Sequence, residues 1–389
     1  MMREKYNSDK EHQIVGMYPG IKGMEIAGAA ETTGECVIPE YPQLYRPISP
    51  RENLRMCLEG KTPYYMPNNG WFFCDIEEFR PRQNPDNFAN HQCIDGGPYL
   101  NYKEVDNIQT GWWDMPLQWE PKTMGAMPKP GCIVLADISK WRNMQWPDLD
   151  SVDWEEMGRM NKDYLGVDKA NQLGIQMTYW ERMMCLMGVD NAAVALADED
   201  CLDDVHDFLD ALADFYIDYI GRVLNVCPID GIMYHDDWGT QNGPFFSLDT
   251  AMEIFVPHIK KMNDFCHSKG LWVEHHSCGN ASALVPAFIA QGDDFWFPQP
   301  ALNDLDMLCE TYGNKIKIAL SSPLLPKGST TEEIDQMAKD FVTKYAKYKT
   351  LYCHDVSLAT NPNHDDNLYP IFMDAVYKYS RIAYQDAED

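Results

Sequence analysis

Basic residues are scarce in this sequence. Its 389 residues hold 32 Lys and Arg against 60 Asp and Glu, a formal net charge of −28. A surface of that sign repels phosphate backbones and anionic bilayers, which argues against nucleic-acid binding and against a lipid-surface role. Long apolar runs are also lacking. No stretch approaches the roughly 18 apolar residues that a membrane span needs, so no membrane role is expected. The opening stretch, Met1 to His12, has no apolar core of a secretory signal, and the chain is expected in the cytoplasm. No glycine-rich phosphate loop, Gly-x-Ser-x-Gly elbow or Cys-x-x-Cys pair occurs, which removes several common enzyme classes. Fixed-period repeats and low-complexity tracts are absent as well.

Sulfur is abundant instead, with 12 Cys and 22 Met. The cysteines (Cys36, Cys57, Cys74, Cys93, Cys132, Cys185 and onward) are scattered rather than set in a dense framework. That spacing reads as mostly reduced, buried thiols, of which only some carry chemistry. An apolar fraction of 45% in a chain of this length is enough for a substantial core.

The second half alternates short apolar runs with helical patterns. Strands are expected at Ile229–His235, Leu271–Cys278, Phe295–Gln299, Lys315–Ser321 and Leu351–Asp355. The helices between them are expected at Ser247–Lys269, Ala281–Gln291, Asp304–Tyr312, Thr330–Lys347 and Leu368–Tyr384. Another strand is expected at Ile175–Tyr179. Residues 202–224 carry a stripe of Leu202, Val205, Leu209, Leu212, Tyr216, Tyr219 and Val223, the mark of an amphipathic helix. Strand–helix alternation predicts a parallel sheet with right-handed crossovers. The chain has room for about eight units, so the expected fold class is α/β, a (β/α)8 TIM barrel. An open doubly wound sheet is the second choice.

Residues 1–150 differ from residues 151–389, the main part of the barrel. They are rich in Pro and aromatic residues (Trp71, Phe72, Phe73, Trp112, Trp113, Trp119, Trp141, Trp146) and poor in periodic segments. We expect an aromatic-rich N-terminal extension with early barrel elements, forming one structural domain with the rest. Its rings either pack between loops and barrel or wall a pocket for a flat substrate.

The segment richest in chemistry is Trp272-Val273-Glu274-His275-His276-Ser277-Cys278-Gly279-Asn280. Residues two apart on a strand share a face, so Glu274, His276 and Cys278 point together. Gly279 allows a tight turn that ends this face at the carboxyl tip, where parallel α/β folds build their sites. An imidazole and a thiolate there can bind one zinc ion. Cys353, 75 residues later at the end of another expected strand, is a candidate third ligand. Three protein ligands leave one position open, as in catalytic zinc sites. Glu274 either fills that position at rest or pairs with an interior Arg or Lys.

A second segment, Tyr234-His235-Asp236-Asp237-Trp238, lies where another apolar run gives way to polar residues. Adjacent carboxylates at a strand tip can raise each other's pKa, which suits a proton donor. The competing reading is a helix cap or loop network. Tyr234 and Asp236 share one face and His235 and Asp237 the other. Tyr234, Asp236, Asp237 and Glu274 are therefore the candidate catalytic residues. His354 and Asp355 are candidates for orienting a ligand.

The order Tyr234-His235-Asp236-Asp237-Trp238-Gly239-Thr240-Gln241-Asn242-Gly243, then Pro257, His276-Ser277-Cys278-Gly279-Asn280, Gly292-Asp293-Asp294, Asn303-Asp304 and Tyr312-Gly313 resembles the uroporphyrinogen decarboxylase superfamily. The resemblance covers roughly residues 150–389. His-x-Cys-Gly followed by a later Cys is similar to its cobalamin-dependent methyltransferase branch. The Arg-Gln-x-Gly-Arg segment expected of the heme-pathway decarboxylases is missing, and Pro50–Leu54 resembles only the family's opening helix. The resemblance implies a (β/α)8 barrel, zinc on His276, Cys278 and Cys353, and a corrinoid carried by a partner protein. It also implies a small methylated substrate. The aromatic extension favours an aryl methyl ether and O-demethylation over methanol, methylamine or transfer to a thiol. The rivals are a tetrapyrrole decarboxylase and a binding protein with structural zinc. A homodimer is compatible with all of these.

Overall fold

The computed structural model describes residues 3–19, 21–22, 37–38, 40–69, 75–79, 109–110, 113–120, 125–162, 165, 167–353, 355, 358 and 361–388. Its centre is a six-stranded parallel sheet. The strands are β1 (Ile76–Phe79), β2 (Ala170–Ile175), β3 (Gly231–His235), β4 (Trp272–His276), β5 (Phe295–Phe297) and β6 (Lys317–Ile318), lying side by side in chain order. The chain continues through β7 (Leu320–Ser321), which pairs in parallel with β8 (Tyr352–Cys353). Tyr352 in turn bridges Asn68 in parallel, and the Asp75 N–H donates to the Asn68 carbonyl at 2.7 Å.

Helices separate the strands: α1 (Trp180–Met187), α2 (Leu202–Val226), α3 (Val256–Ser268), α4 (Val285–Gln291), α5 (Leu305–Tyr312), α6 (Thr331–Tyr345) and α7 (Tyr369–Tyr384). Along α2, Val205, Leu209, Leu212, Tyr216, Tyr219 and Val223 are all buried, as the periodicity requires. Each such side chain stabilises the fold by roughly 1.5–3 kcal/mol relative to exposure. Helix α6 opens on a capping box in which the Thr330 hydroxyl accepts from Glu333 N–H and the Glu333 carboxylate accepts from Thr330 N–H. Asp304 caps α5 by accepting from Met307 N–H. No helix among the described residues is long and apolar enough to cross a membrane.

Two expectations need correction. The helix expected at Ser247–Lys269 contains a π segment, Ala251–Phe255, just ahead of Pro257. Pro257 has no N–H to give and its ring crowds the carbonyl one turn back, so the wider turn accommodates it. The strand expected at Ile175–Tyr179 runs instead over Ala170–Ile175. Its polar residues hid it from a hydrophobicity reading. All six positions are buried, because Asn171 Nδ2 donates to the carbonyls of Leu165 and Pro228 while Gln172 bonds Trp272 and Glu274. Buried amides with partners are tolerated in a strand that alternation would reject.

Several tryptophans of the early chain are packing residues. Trp113 sits edge-on to Trp146 and Phe215 at 5.1 Å, Trp141 lies against Phe208, and Trp154 against Tyr219. Trp71, Phe72, Phe73 and Trp112 lie outside the described residues.

The ends of the chain are joined by a buried ion pair. Arg381 on α7 donates from Nε and Nη2 to the two Glu11 oxygens at 3.0 Å, and Tyr377 O–H donates to the same carboxylate. Arg381 and Glu11 are 0% and 2% exposed, so either charge left alone loses its buried counter-ion. Glu11→Ala is expected to lower stability by roughly 3–5 kcal/mol, whereas replacing both partners with apolar residues of similar volume costs much less. Urea midpoints of the single and double variants distinguish the two cases.

Candidate metal centre

Strands β3 and β4 pair in register, with Tyr234 opposite His275 and His235 opposite His276. The pleat therefore gives one face to His235 and His276 and the other to Tyr234 and His275. The rings confirm the assignment, since His235 stacks on His276 at 4.4 Å and Tyr234 on His275 at 4.6 Å. Just beyond the strand tips, Asp237 and Cys278 join the first pair.

Among the described residues, His235, Asp237, His276 and Cys278 form the one group whose donor atoms all lie within 4.8 Å of one another. His276 Nε2 is 3.3 Å from Cys278 Sγ, and His235 Nε2 is 3.9 Å from an Asp237 oxygen. The same Asp237 oxygen accepts from the Cys278 N–H at 2.6 Å, which ties the two tip loops together. Behind the cluster, a Glu181 oxygen from α1 lies 2.6 Å from His235 Nδ1. With the proton on Nδ1, that contact leaves Nε2 facing Asp237 and Cys278.

The loops bring the donors this close because they carry glycine. A Cβ on Gly279 would lie 2.2 Å from the Gly239 carbonyl carbon, and one on Gly239 would lie 2.6 Å from Cys278 O. Gly279 also has φ +78°, a conformation that favours glycine. Gln299 accepts from Gly279 N–H, and Asn303 donates to Gly279 O, so the turn is clamped from the next strand–helix connection.

The electrostatics are those of a cation site. Burial opposes protonation of His235, but the Glu181 and Asp237 carboxylates outweigh it and hold the imidazole well above its ordinary value. Burial pushes Glu181 up to about 7, against the pull of His235. Asp237 is driven upward by burial, yet His235, His276 and the Cys278 N–H bring it below the usual carboxylate range. Burial raises the Cys278 thiol, with His235 opposing. Two carboxylates and a thiol are thus gathered around two imidazoles, and a divalent cation would hold these groups in their deprotonated forms.

The donor set fits zinc. Two imidazoles, a carboxylate and a thiolate form a mixed N, O and S set that suits Zn2+, whereas Mg2+ and Ca2+ require oxygen. Tetrahedral ligands at zinc distances lie roughly 3.3–3.8 Å from each other, so the separations here need only small adjustments.

The other candidate residues lie elsewhere. Cys353 is outside the group; it pairs in register with Ser321, and its thiol is pushed far up by burial, then by Asp355 and Glu274. Glu274 is buried within the sheet and accepts from the Gln172 amide. Tyr234 faces the helices, donating to Asp293 at 2.8 Å and accepting from Gln291 at 2.7 Å. Asp236 is fully buried and accepts from the N–H groups of Tyr179, Trp180 and Glu181 and from the Trp238 indole. It anchors the start of α1, which is the cap-and-network reading of that residue. His354 lies outside the described residues, and Asp355 is buried and accepts no role in the group.

Sequence reasoning did not assign His235 and Glu181. The shared face of His235 and Asp237 was readable, but not which face looks onto the cluster. Glu181 carries no local signal, because it reaches the site from a different strand–helix unit.

No family model matches the chain, and no curated protein matches it. Solved structures do. A methyltransferase from Methanosarcina mazei is similar at 13% identity, over 87% of this chain and 98% of that one, with a TM-score of 0.51. A broad-specificity endoglucanase from Ruminococcus champanellensis with bound cellotriose matches at 9% identity, over 59% and 76% of the two chains, with a TM-score of 0.37. The first likeness is one of fold; the second is too loose to bear on function.

Asp236→Asn is expected to destabilise the protein by at least about 2 kcal/mol, because hydrogen bonds to a charged acceptor are worth roughly 1.5–3 kcal/mol each. Asp237→Asn should cost less, because its amide oxygen can still accept from the Cys278 N–H. Thermal unfolding of the two variants, followed by circular dichroism, tests this division of roles.

Proposed function

We propose that this chain is a zinc-dependent methyltransferase. It moves a methyl group from a small methylated compound, first of all an aryl methyl ether, to the cobalt of a corrinoid presented by a separate protein. The observation that carries this reading is the convergence of His235, Asp237, His276 and Cys278 at the carboxyl tips of two adjacent parallel strands. The residue order resembling the corrinoid methyltransferase branch supports it, and so does the shared fold with a methyltransferase.

The fold proposed with it is a closed (β/α)8 barrel. Supporting this are the β7–β8 pairing, the Tyr352–Asn68 bridge and the bond from Asp75 N–H to Asn68, with Asp75 directly preceding β1. These links run from β6 back to β1.

His276, Cys278 and His235 would hold the zinc, with Asp237 the ligand that yields its place to the substrate heteroatom. Bound there, zinc supplies Lewis-acid polarisation of the heteroatom that carries the methyl group. Glu181 fixes the His235 ring so that Nε2 is the atom turned to the site. Asp236 holds the start of α1, and thereby Glu181, in place. As the methyl carbon leaves, its bonding electron pair stays on the heteroatom, which takes its proton from solvent.

Metal analysis tests the ligand set. Protein purified under reducing conditions is expected to hold about one zinc per chain, lost in Cys278→Ala and His276→Ala and retained in Cys353→Ala. Glu181→Gln should weaken zinc affinity by about 10–100-fold. If Cys353→Ala loses metal as fully as Cys278→Ala, Cys353 is the third ligand and the assignment of His235 and Asp237 falls. A zinc-free wild type that takes up no added zinc removes the reading altogether.

Turnover tests the chemistry. With cob(I)alamin and a panel of methoxyaromatics, methanol and methylamine, formation of methylcobalamin is expected to be fastest with a methoxyaromatic. Absence of methyl transfer from every donor, by a protein that holds its zinc, contradicts the proposed activity.

A further inference from the structure

A second polar site lies at the other end of the sheet. Asp75 directly precedes β1 and Lys169 directly precedes β2, whereas His235 and His276 end their strands. Strands of this length separate the two ends by roughly 20 Å. There a cavity of about 140 Å³, open to solvent, is roofed by the antiparallel pair Ile14–Tyr18 and Tyr41–Leu44.

Its walls are mostly aromatic. Tyr18, Tyr41, Tyr65, Tyr352 and Tyr377 all line it, with Met66 and Met373 between them. Two cations border the rings. Lys169, 2% exposed, bonds Tyr41 O–H and lies over the Tyr18 and Tyr41 rings at 4.8 and 4.9 Å. The Arg46 guanidinium lies over Tyr377 at 3.8 Å. Two carboxylates line the cavity: Asp374 is exposed and pairs with His12 at 3.0 Å, and the buried Asp75 accepts from Tyr65 O–H at 3.1 Å and from Asn68 N–H at 2.8 Å.

The Asn68 side chain is not satisfied. It is 5% exposed and lines the cavity; its Oδ1 accepts from Tyr369 O–H, but its Nδ2 donor has no partner. A buried donor without an acceptor is costly, and nearly all such groups in folded proteins are paired. The cavity thus offers an unanswered N–H donor, two cations and aromatic walls. A ligand that answers all three carries a flat ring and one anionic acceptor.

We propose that this cavity is a binding site for a small aromatic carboxylate, its ring between the tyrosines and its carboxylate on Asn68 Nδ2 and Lys169. The site does not rest on the metal centre and stands whether or not zinc binds there.

Benzoate is the probe, titrated into the purified full-length chain by calorimetry, with transferred NOEs locating its ring protons. One benzoate per chain is expected, with NOEs to tyrosine rings. Asn68→Ala and Lys169→Met should each weaken it by at least about tenfold, since one hydrogen bond to a charged group is worth that much. Cys278→Ala should leave it unchanged, and cyclohexanecarboxylate should bind more weakly. The location in the wild type is read without any variant, so a substitution that fails to fold does not decide the matter. No saturable binding, as in a cavity filled only by water, overturns the proposal. So does binding abolished by Cys278→Ala, which would place benzoate at the metal centre, or an equal affinity for cyclohexanecarboxylate.

Discussion

The register between β3 and β4 is the constraint on which the candidate site depends. Because the pleat alternates sides with every residue, a slip of one position would turn His235 and His276 toward the helices and bring Tyr234 and His275 to the site face. The register is held by packing on both sides. His275 is wedged among Tyr234, Trp238 and Phe288, with its Nε2 toward the Asp236 carbonyl, so the helix-facing layer has no room for a shifted strand. The two glycines beyond the tips then let the following loops touch. Four donors from two short segments meet as a result.

Bringing those donors together has an electrostatic cost that the surrounding protein only partly meets. Asp237 and Glu181 lie on either side of one imidazole, and Cys278 lies beside it. Without a divalent ion, protonation of His235 is the available compensation. The neighbouring carboxylate, Asp236, is handled in the opposite way: three backbone N–H groups and an indole donate to it, although burial still leaves its pKa above the ordinary carboxylate value. Two adjacent aspartates thus have separate tasks: one holds the scaffold and the other faces the site. Their environments differ because the pleat sends them to opposite sides of the sheet.

The two ends of the sheet also differ in kind. At the carboxyl tips the groups are thiol, imidazole and carboxylate within ligand distance. At the amino ends a roof from the start of the chain covers tyrosine rings, a buried lysine and an unanswered amide. That roof is tied to the last helix through Glu11 and Arg381, so the earliest and latest parts of the chain together complete the second cavity.

Much of this was readable in the residues. Alternation of apolar runs with amphipathic stretches defined the helices from residue 202 onward, because burial on one stripe is imposed locally by a period of 3.6. The same-face rule placed His276 with Cys278 and His235 with Asp237, since a strand's geometry follows from its own backbone. The Ala170–Ile175 strand was not readable, because its buried amides are tolerated only once Trp272 and Glu274 stand beside Gln172. Glu181 and the hydrogen bonding of Asp236 were hidden for the same reason, as each depends on a partner tens of residues away. Local periodicity and chemistry thus determined the elements and two halves of the cluster. Only tertiary pairing decided which faces meet, because proximity between distant segments is a property of the folded chain and not of any segment within it.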